Sequence, residues 1–168
     1  FTAKTVVLAT GTEPKTMGIP GETEFRGRGV SYCATCDGPF YKNKEVVVIG
    51  GGDAAVKEAL YLTKFAKKVT IVHRRNQLRA EKIIAAKAME NPKIQISWDT
   101  VAEEIRGEGT ILTGVKVKNL KTNENKLLFC DGVFIYIGTT PSTQCVRDLV
   151  QLNEMGQVAA GEDTRTNI

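Results

Sequence analysis

Cys33-Ala34-Thr35-Cys36-Asp37 places two thiols two residues apart, with a carboxylate beside the second. That spacing lets the pair close a small disulfide ring or grip one metal ion. A structural zinc site wants four ligands, yet Cys130 and Cys145 stand alone and His73 is the sole histidine. Redox chemistry is therefore favoured over a metal site. Asp37 has two readings: an acid kept protonated by its surroundings, which donates to a thiolate released on exchange, or a helix-cap or turn residue. Cys130 and Cys145 read as small core or near-core residues, and Trp98 as core.

A second constellation is Gly50-Gly51-Gly52-Asp53-Ala54-Ala55, which fits the pattern GxGxxA. Val46-Val47-Val48-Ile49 precedes it as a strand, and the run from Asp53 to Leu62 spaces its apolar residues as a helix does. In that context the glycines have work to do. Gly50 permits a tight turn, Gly52 lets the backbone approach a pyrophosphate, Ala55 keeps helix and sheet close, and the helix N-terminus offers unpaired N–H groups to an anion. The alternative is a glycine-rich turn that holds no ligand.

An enzyme using NAD would carry Asp or Glu about twenty residues further on, at the end of the next strand, to bind the ribose hydroxyls. This sequence has His73-Arg74-Arg75 there, with Arg79 soon after. Exchanging a carboxylate for guanidiniums removes repulsion against a 2′-phosphate and supplies planar donors to it, so the expected cofactor is NADP(H). A solvated basic loop ahead of a helix is the plainer alternative.

Strands and helices must hold these groups in place. Thr5-Val6-Val7-Leu8-Ala9 reads as a buried strand ending at Thr10-Gly11, followed by a Gly- and Pro-rich loop over residues 11–29. After the glycine turn and its helix come a strand at Val69-Thr70-Ile71-Val72, a helix over residues 80–89 and a strand at Ile94-Gln95-Ile96-Ser97-Trp98. The order β-α-β-α-β implies a parallel sheet. Residues 101–129 break into short alternating stretches, predicting an antiparallel meander, and Val133-Phe134-Ile135-Tyr136-Ile137 returns to a buried strand.

The chain's 168 residues suffice for one ordinary domain and are too few for two complete nucleotide-binding domains. Composition, at 42% hydrophobic and 25% charged, is that of a folded globular protein, and no apolar run nears the roughly 20 residues that span a bilayer. The net charge of +4 is spread among interleaved acids and bases, giving no support to a nucleic-acid role. Four cysteines with one close pair point to a reducing compartment rather than a secreted disulfide scaffold. The first residue is Phe1 rather than Met, so any targeting segment that was removed cannot be read.

Gly11-Thr12-Glu13-Pro14 and Gly138-Thr139-Thr140-Pro141 echo each other, each after an apolar run. They are either two ordinary strand-to-loop stops or the entry and exit of an inserted domain, with Gly-Thr turns able to act as hinges.

Together the motifs closely resemble the low-molecular-weight, bacterial-type thioredoxin reductases: Cys33-Ala34-Thr35-Cys36-Asp37-Gly38, the Gly50–Ala55 turn, His73-Arg74-Arg75 and Arg79-Ala80-Glu81-Lys82, in matching order and spacing. The resemblance runs through the whole chain, including Ile19-Pro20-Gly21-Glu22 and the Ala9-Thr10-Gly11 turn that lies near the flavin in that family. It implies electron flow from NADPH to FAD, then to the Cys33–Cys36 disulfide, then to thioredoxin, with the disulfide-bearing domain swinging between two poses. Cys36 would face the flavin, Cys33 would attack thioredoxin, Asp37 would be the acid, and Arg74, Arg75 and Arg79 would hold the 2′-phosphate. It further implies a cytoplasmic protein that is a homodimer at full length.

The implied architecture is a Rossmann-like three-layer α/β domain over residues 14–139, a parallel sheet plus antiparallel meander, flanked by FAD-domain remnants at 1–13 and 140–168. A second glycine fingerprint for FAD and the family's Gly-Asp flavin motif are missing, so the sequence reads as a piece that binds NADPH but lacks the flavin site. Such a piece would not shuttle electrons alone, because hydride needs a flavin to split it into steps that a disulfide accepts. Three rivals remain: a peroxiredoxin-reducing flavoenzyme subunit, a stand-alone NADPH-binding or sensing module, and a CxxC module sharing a metal across a dimer.

Overall fold

The computed structural model describes residues 2–168. In chain order the elements begin with β1 (Thr12–Pro14), β2 (Val30–Ser31), α1 (Ala34–Asp37), a 3-10 turn (Gly38–Tyr41), β3 (Glu45–Gly50), α2 (Asp53–Leu62) and β4 (Lys68–Val72). They continue with α3 (Lys82–Met89), β5 (Ile94–Ser97), β6 (Thr100–Glu108), β7 (Ile111–Asn119), β8 (Asn125–Phe129), β9 (Gly132–Tyr136) and β10 (Thr139–Pro141). Contacts divide the chain into two compact units, Thr16–Ile137 and the paired ends up to Lys15 and from Gly138 onward.

The larger unit is built on a five-stranded parallel sheet in the order β2-β9-β3-β4-β5. The valine-rich sequence of β3 suits a central strand buried on both faces, and the strand's period of two sorts its side chains. Val46 and Val48 join Val69, Ile71 and Phe134 against α2, whose Ala55, Ala59 and Leu62 fill one helical face. Val47 and Ile49 join Val72, Val133 and Ile135 on the opposite face. There they meet Ile105, Leu112, Val115 and Val117 of the antiparallel sheet β6-β7-β8. Each fully buried aliphatic side chain contributes roughly 1.5–3 kcal/mol, so the two apolar layers fix the sheet from both sides. Helix, parallel sheet and meander are the three layers that the sequence implied.

In the smaller unit β1 and β10 pair antiparallel, with Thr12 opposite Pro141 and Pro14 opposite Thr139. The two Gly-Thr-x-Pro echoes are thus ladder partners. The N–H of Lys15 donates to Gly138 (3.0 Å) and that of Ser142 to Gly11 (3.0 Å), closing both ends of the ladder.

Four expectations need correction. Thr5-Val6-Val7-Leu8-Ala9 forms no strand: Val6, Val7 and Leu8 are exposed, and no described strand pairs with them, so β propensity has no ladder to act through. The helix over residues 80–89 starts only at Lys82, because Glu81 is held at φ −49°, ψ 139° as its cap. Trp98 is half-buried rather than core, at a rim where its ring stands edge-on to His73. Cys145 is exposed, whereas Cys130 is buried as expected. Among the described residues no helix is long and apolar enough to cross a membrane.

Candidate functional site

The glycine turn sits where β3 delivers the chain to α2, next to β9, the strand that lies on the other side of β3 from β4. Strand order reverses there, and in open parallel sheets such a switch point at the carboxyl ends of the strands is where ligands bind. Gly50 has φ +144°, and a Cβ on it would run into the Tyr136 carbonyl and the Ala55 methyl. A Cβ on Gly51 would collide with the imidazole of His73. Gly52 differs: as the N-cap of α2 it has no side-chain capping bond, and its nearest obstacle is an Arg79 guanidinium nitrogen at 4.0 Å. The opening of α2 therefore faces free space through Gly52, where unpaired N–H groups can meet an anion.

The basic loop is tied directly to this turn. The N–H of Arg79 donates to Gly51 O (2.7 Å), and the Asp53 carboxylate accepts the N–H of Glu81 (2.8 Å). Asp53 thus braces the loop with its side chain, and Ala54 is exposed beside it while Ala55 is buried against β3. Arg74, Arg75 and Arg79 are exposed, and none is in an ion pair among the described residues.

His73 is only 5% exposed, and its Nε2 lies 3.0 Å from Gln77 O. A carbonyl only accepts, so Nε2 carries the proton. Burial first, then the charges of Arg79, Arg75 and Arg74, hold the imidazole below its usual pKa, against the opposing pull of the Gln77 bond. A neutral ring wedged beneath Gly51 is a strut for the loop, and the three guanidiniums around it are the surface donors.

Between turn and loop opens a cleft of about 450 Å³, lined by Gly50, Gly51, His73, Arg74, Arg79 and Tyr136, with Thr16, Met17 and Ile19 on one side. A second cleft of about 430 Å³, among Lys68, Gln95 and Lys126, contains none of the motif residues.

Cys33 and Cys36 are joined in a disulfide, with Cα atoms 5.3 Å apart. Cys33 is the N-cap of α1, and its Sγ accepts the N–H of Cys36 (3.2 Å). Ser31 Oγ accepts the N–H of Cys33 (3.0 Å), and the Tyr136 hydroxyl accepts that of Ala34 (2.7 Å). The opening of α1 is thereby satisfied by sulfur and two hydroxyls. Cys36 is exposed and Cys33 half-buried. Asp37 holds the N-cap position of the 3-10 turn without a side-chain capping bond, which leaves its carboxylate free beside Cys36. Among the described residues no three His, Cys, Asp or Glu side chains gather as a metal site.

One unit thus brings together Gly50–Ala55, His73, Arg74, Arg75 and Arg79, and also holds Cys33, Cys36 and Asp37. Ala9, Thr10 and Gly11 lie in the other unit, exposed and outside the clefts described. Two residues escaped the sequence reading. Tyr136 was legible only as a strand residue, although its place at the carboxyl end of a strand next to the glycine turn was a usable signal. Glu22 entered only within Ile19-Pro20-Gly21-Glu22, with no role assigned to it. Its buried carboxylate accepts the N–H groups of Met17 (2.9 Å) and Gly18 (2.7 Å) and the Tyr32 hydroxyl (2.6 Å), tying the loop beside the cleft to the residue before Cys33.

Fold and site define a Rossmann-like α/β domain with a CxxC disulfide built into the same unit. The chain belongs to the pyridine nucleotide-disulphide oxidoreductase family, whose model matches residues 1–168. It is a homologue of bacterial-type thioredoxin reductases: 50% identical over its whole length to 54% of the thioredoxin reductase of Treponema pallidum, and 46% identical to 55% of that of Peptoclostridium acidaminophilum. The solved thioredoxin reductase of Lactococcus lactis superposes with a TM-score of 0.90 at 47% identity, covering 94% of this chain and 52% of that one. That of T. acidophilum gives 0.89 at 38% identity, with the same coverage. The chain spans about half the length of the curated relatives it matches.

Proposed function

We propose that this chain is the NADPH-binding and disulfide-carrying part of a thioredoxin-disulfide reductase. The observation that carries the reading is the juxtaposition of the open Gly52 end of α2 with the exposed Arg79 guanidinium, with Arg74 in the same cleft as Gly51 and neither arginine in an ion pair among the described residues. The cradle suits a pyrophosphate, since a side chain at residue 52 would project into the space that the anion needs. Arg74, Arg75 and Arg79 suit a 2′-phosphate, and no carboxylate stands among them to favour the unphosphorylated ribose. When bound, NADPH supplies a hydride, two electrons in one transfer. The chain's own part is to orient it: glycine turn at the pyrophosphate, arginines at the 2′-phosphate, Tyr136 and Ile49 along the wall.

Flavin has no comparable fit. Ala9, Thr10 and Gly11 are exposed and line none of the clefts described, so no step is assigned to them. In this reading residues 14–139 form the nucleotide and disulfide domain, and 1–13 with 140–168 are its flavin-domain flanks. The partner is a thioredoxin, the setting is the cytoplasm, and the full-length protein is a homodimer.

Exchange with that partner uses the chain's own groups. Once reduced, Cys33 as thiolate attacks a sulfur of the partner's disulfide, forming a mixed disulfide and releasing a partner thiolate that Asp37 protonates. The Asp37 carboxylate so formed takes the Cys36 proton. Cys36 as thiolate then attacks Cys33 Sγ, which restores the Cys33–Cys36 bond and releases the second partner sulfur as a thiolate that the same proton, returned from Asp37, neutralises. Two electrons pass to thioredoxin. Calorimetric titration with NADPH and NADH in parallel tests the binding half: NADPH should bind at least about tenfold tighter, from charge-assisted bonds to the 2′-phosphate. Equal affinity would remove the reading.

A further inference from the structure

Tyr136 touches three parts of the site at once. Its backbone lies opposite Gly50 in the β3–β9 register, with its carbonyl where a side chain at residue 50 would have to go. Tyr136 also lines the cleft beside the glycine turn, while its side chain packs among Ala34 and Phe134. Its hydroxyl accepts the N–H of Ala34 at 2.7 Å, and Ala34 lies inside the ring that the Cys33–Cys36 disulfide closes. Ala34 is 1% exposed, so water cannot replace a lost acceptor. We propose that Tyr136 is a positioning residue that couples occupancy of the cleft to the redox equilibrium of the Cys33–Cys36 disulfide, through the bond its hydroxyl accepts from Ala34. The identity of the ligand rests on the NADPH reading above.

Opening the disulfide releases the covalent ring that holds the Ala34 N–H in place. A nucleotide at the glycine turn bears on the Tyr136 backbone opposite Gly50, and so on the hydroxyl at the other end of the same bond. Each event therefore biases the other, and linkage requires the two effects to be equal: the factor by which nucleotide shifts the disulfide equilibrium is the factor by which reduction shifts nucleotide affinity. The hydroxyl keeps its proton at neutral pH, because burial above all, with the nearby charges of Glu58 and Asp37, pushes it up to about 12 against the lowering effect of the Ala34 bond.

The test equilibrates the chain, with Cys145→Ser to silence the exposed thiol, in glutathione buffers with and without saturating NADP+. Two glutathione thiols give up two electrons and two protons to form glutathione disulfide, and the Cys33–Cys36 bond becomes two thiols. Saturating NADP+ should shift the wild-type equilibrium constant about fivefold or more. Tyr136→Phe should move the nucleotide-free constant about threefold or more and abolish the nucleotide effect, with circular dichroism showing an unchanged fold. Equal constants for Tyr136→Phe and wild type, or a nucleotide effect that survives in the variant, would overturn the proposal. So would bound NADP+ that leaves the wild-type constant unmoved. Calorimetry on the same samples separates the two claims: if NADP+ does not bind the wild type, the NADPH reading and the coupling both fall, whereas bound NADP+ without a shift removes only the coupling.

Discussion

The N–H of Arg79 donates to the carbonyl of Gly51 at 2.7 Å, which joins the end of the basic loop to the middle of the glycine turn. The glycine turn and the basic loop are therefore braced against each other. Beneath that bond the His73 ring fills the space where a side chain on Gly51 would go.

Gly51→Ala should accordingly lower stability by about 1–3 kcal/mol, the usual penalty of overpacking a filled site. Adding His73→Ala removes the obstacle, so the double variant should be more stable than the sum of the two single losses predicts. Urea denaturation of the four proteins checks this, and strict additivity would mean that the ring and the turn are not in contact.

His73 also gives a stability profile in pH. Its folded pKa is lowered, so the unfolded chain binds the proton more readily than the folded one. Stability from the neutral ring is full above the unfolded value of 6.5 and drains away as pH falls below it, until the folded ring protonates as well. Because His73 is the sole histidine, His73→Gln should flatten the slope just below pH 6.5. A variant slope equal to wild type would contradict the assignment.

Glu22 supports the loop at residues 16–19 and is 3% exposed. Glu22→Ala leaves the Met17 and Gly18 N–H groups and the Tyr32 hydroxyl without their acceptor, and should destabilise by about 2–4 kcal/mol. Tyr32→Phe removes one of those bonds and should cost about 1 kcal/mol. Thermal and urea melts order the two, and the reverse order would show that Glu22 is not the hub of this cluster.

Much of this was legible in the chain because its determinants are local. Val46-Val47-Val48-Ile49 followed by Gly50-Gly51-Gly52 and an apolar period of helical spacing specifies strand, turn and helix within about twenty residues. The meander declared itself by alternation at Gly114-Val115-Lys116-Val117-Lys118. Long-range relations stayed hidden: Ala34 and Tyr136 stand 102 positions apart, and nothing near either residue announces their bond. Thr5-Val6-Val7-Leu8-Ala9 misled for the opposite reason, since its composition suits a strand but pairing depends on a partner that the described residues do not supply. The Gly-Thr-x-Pro echo was visible, whereas its meaning as an antiparallel ladder emerged only in three dimensions.

Whether the Gly52 opening and the arginines around His73 form an NADPH site is read most directly by calorimetric titration of wild type and Arg74→Ala/Arg75→Ala with NADPH and NADH at one fixed salt concentration. NADPH should bind the wild type at least about tenfold tighter than NADH, and the double change should erase that preference while leaving NADH affinity within about twofold. A preference for NADPH that survives loss of both arginines, or equal wild-type affinities, would contradict that reading.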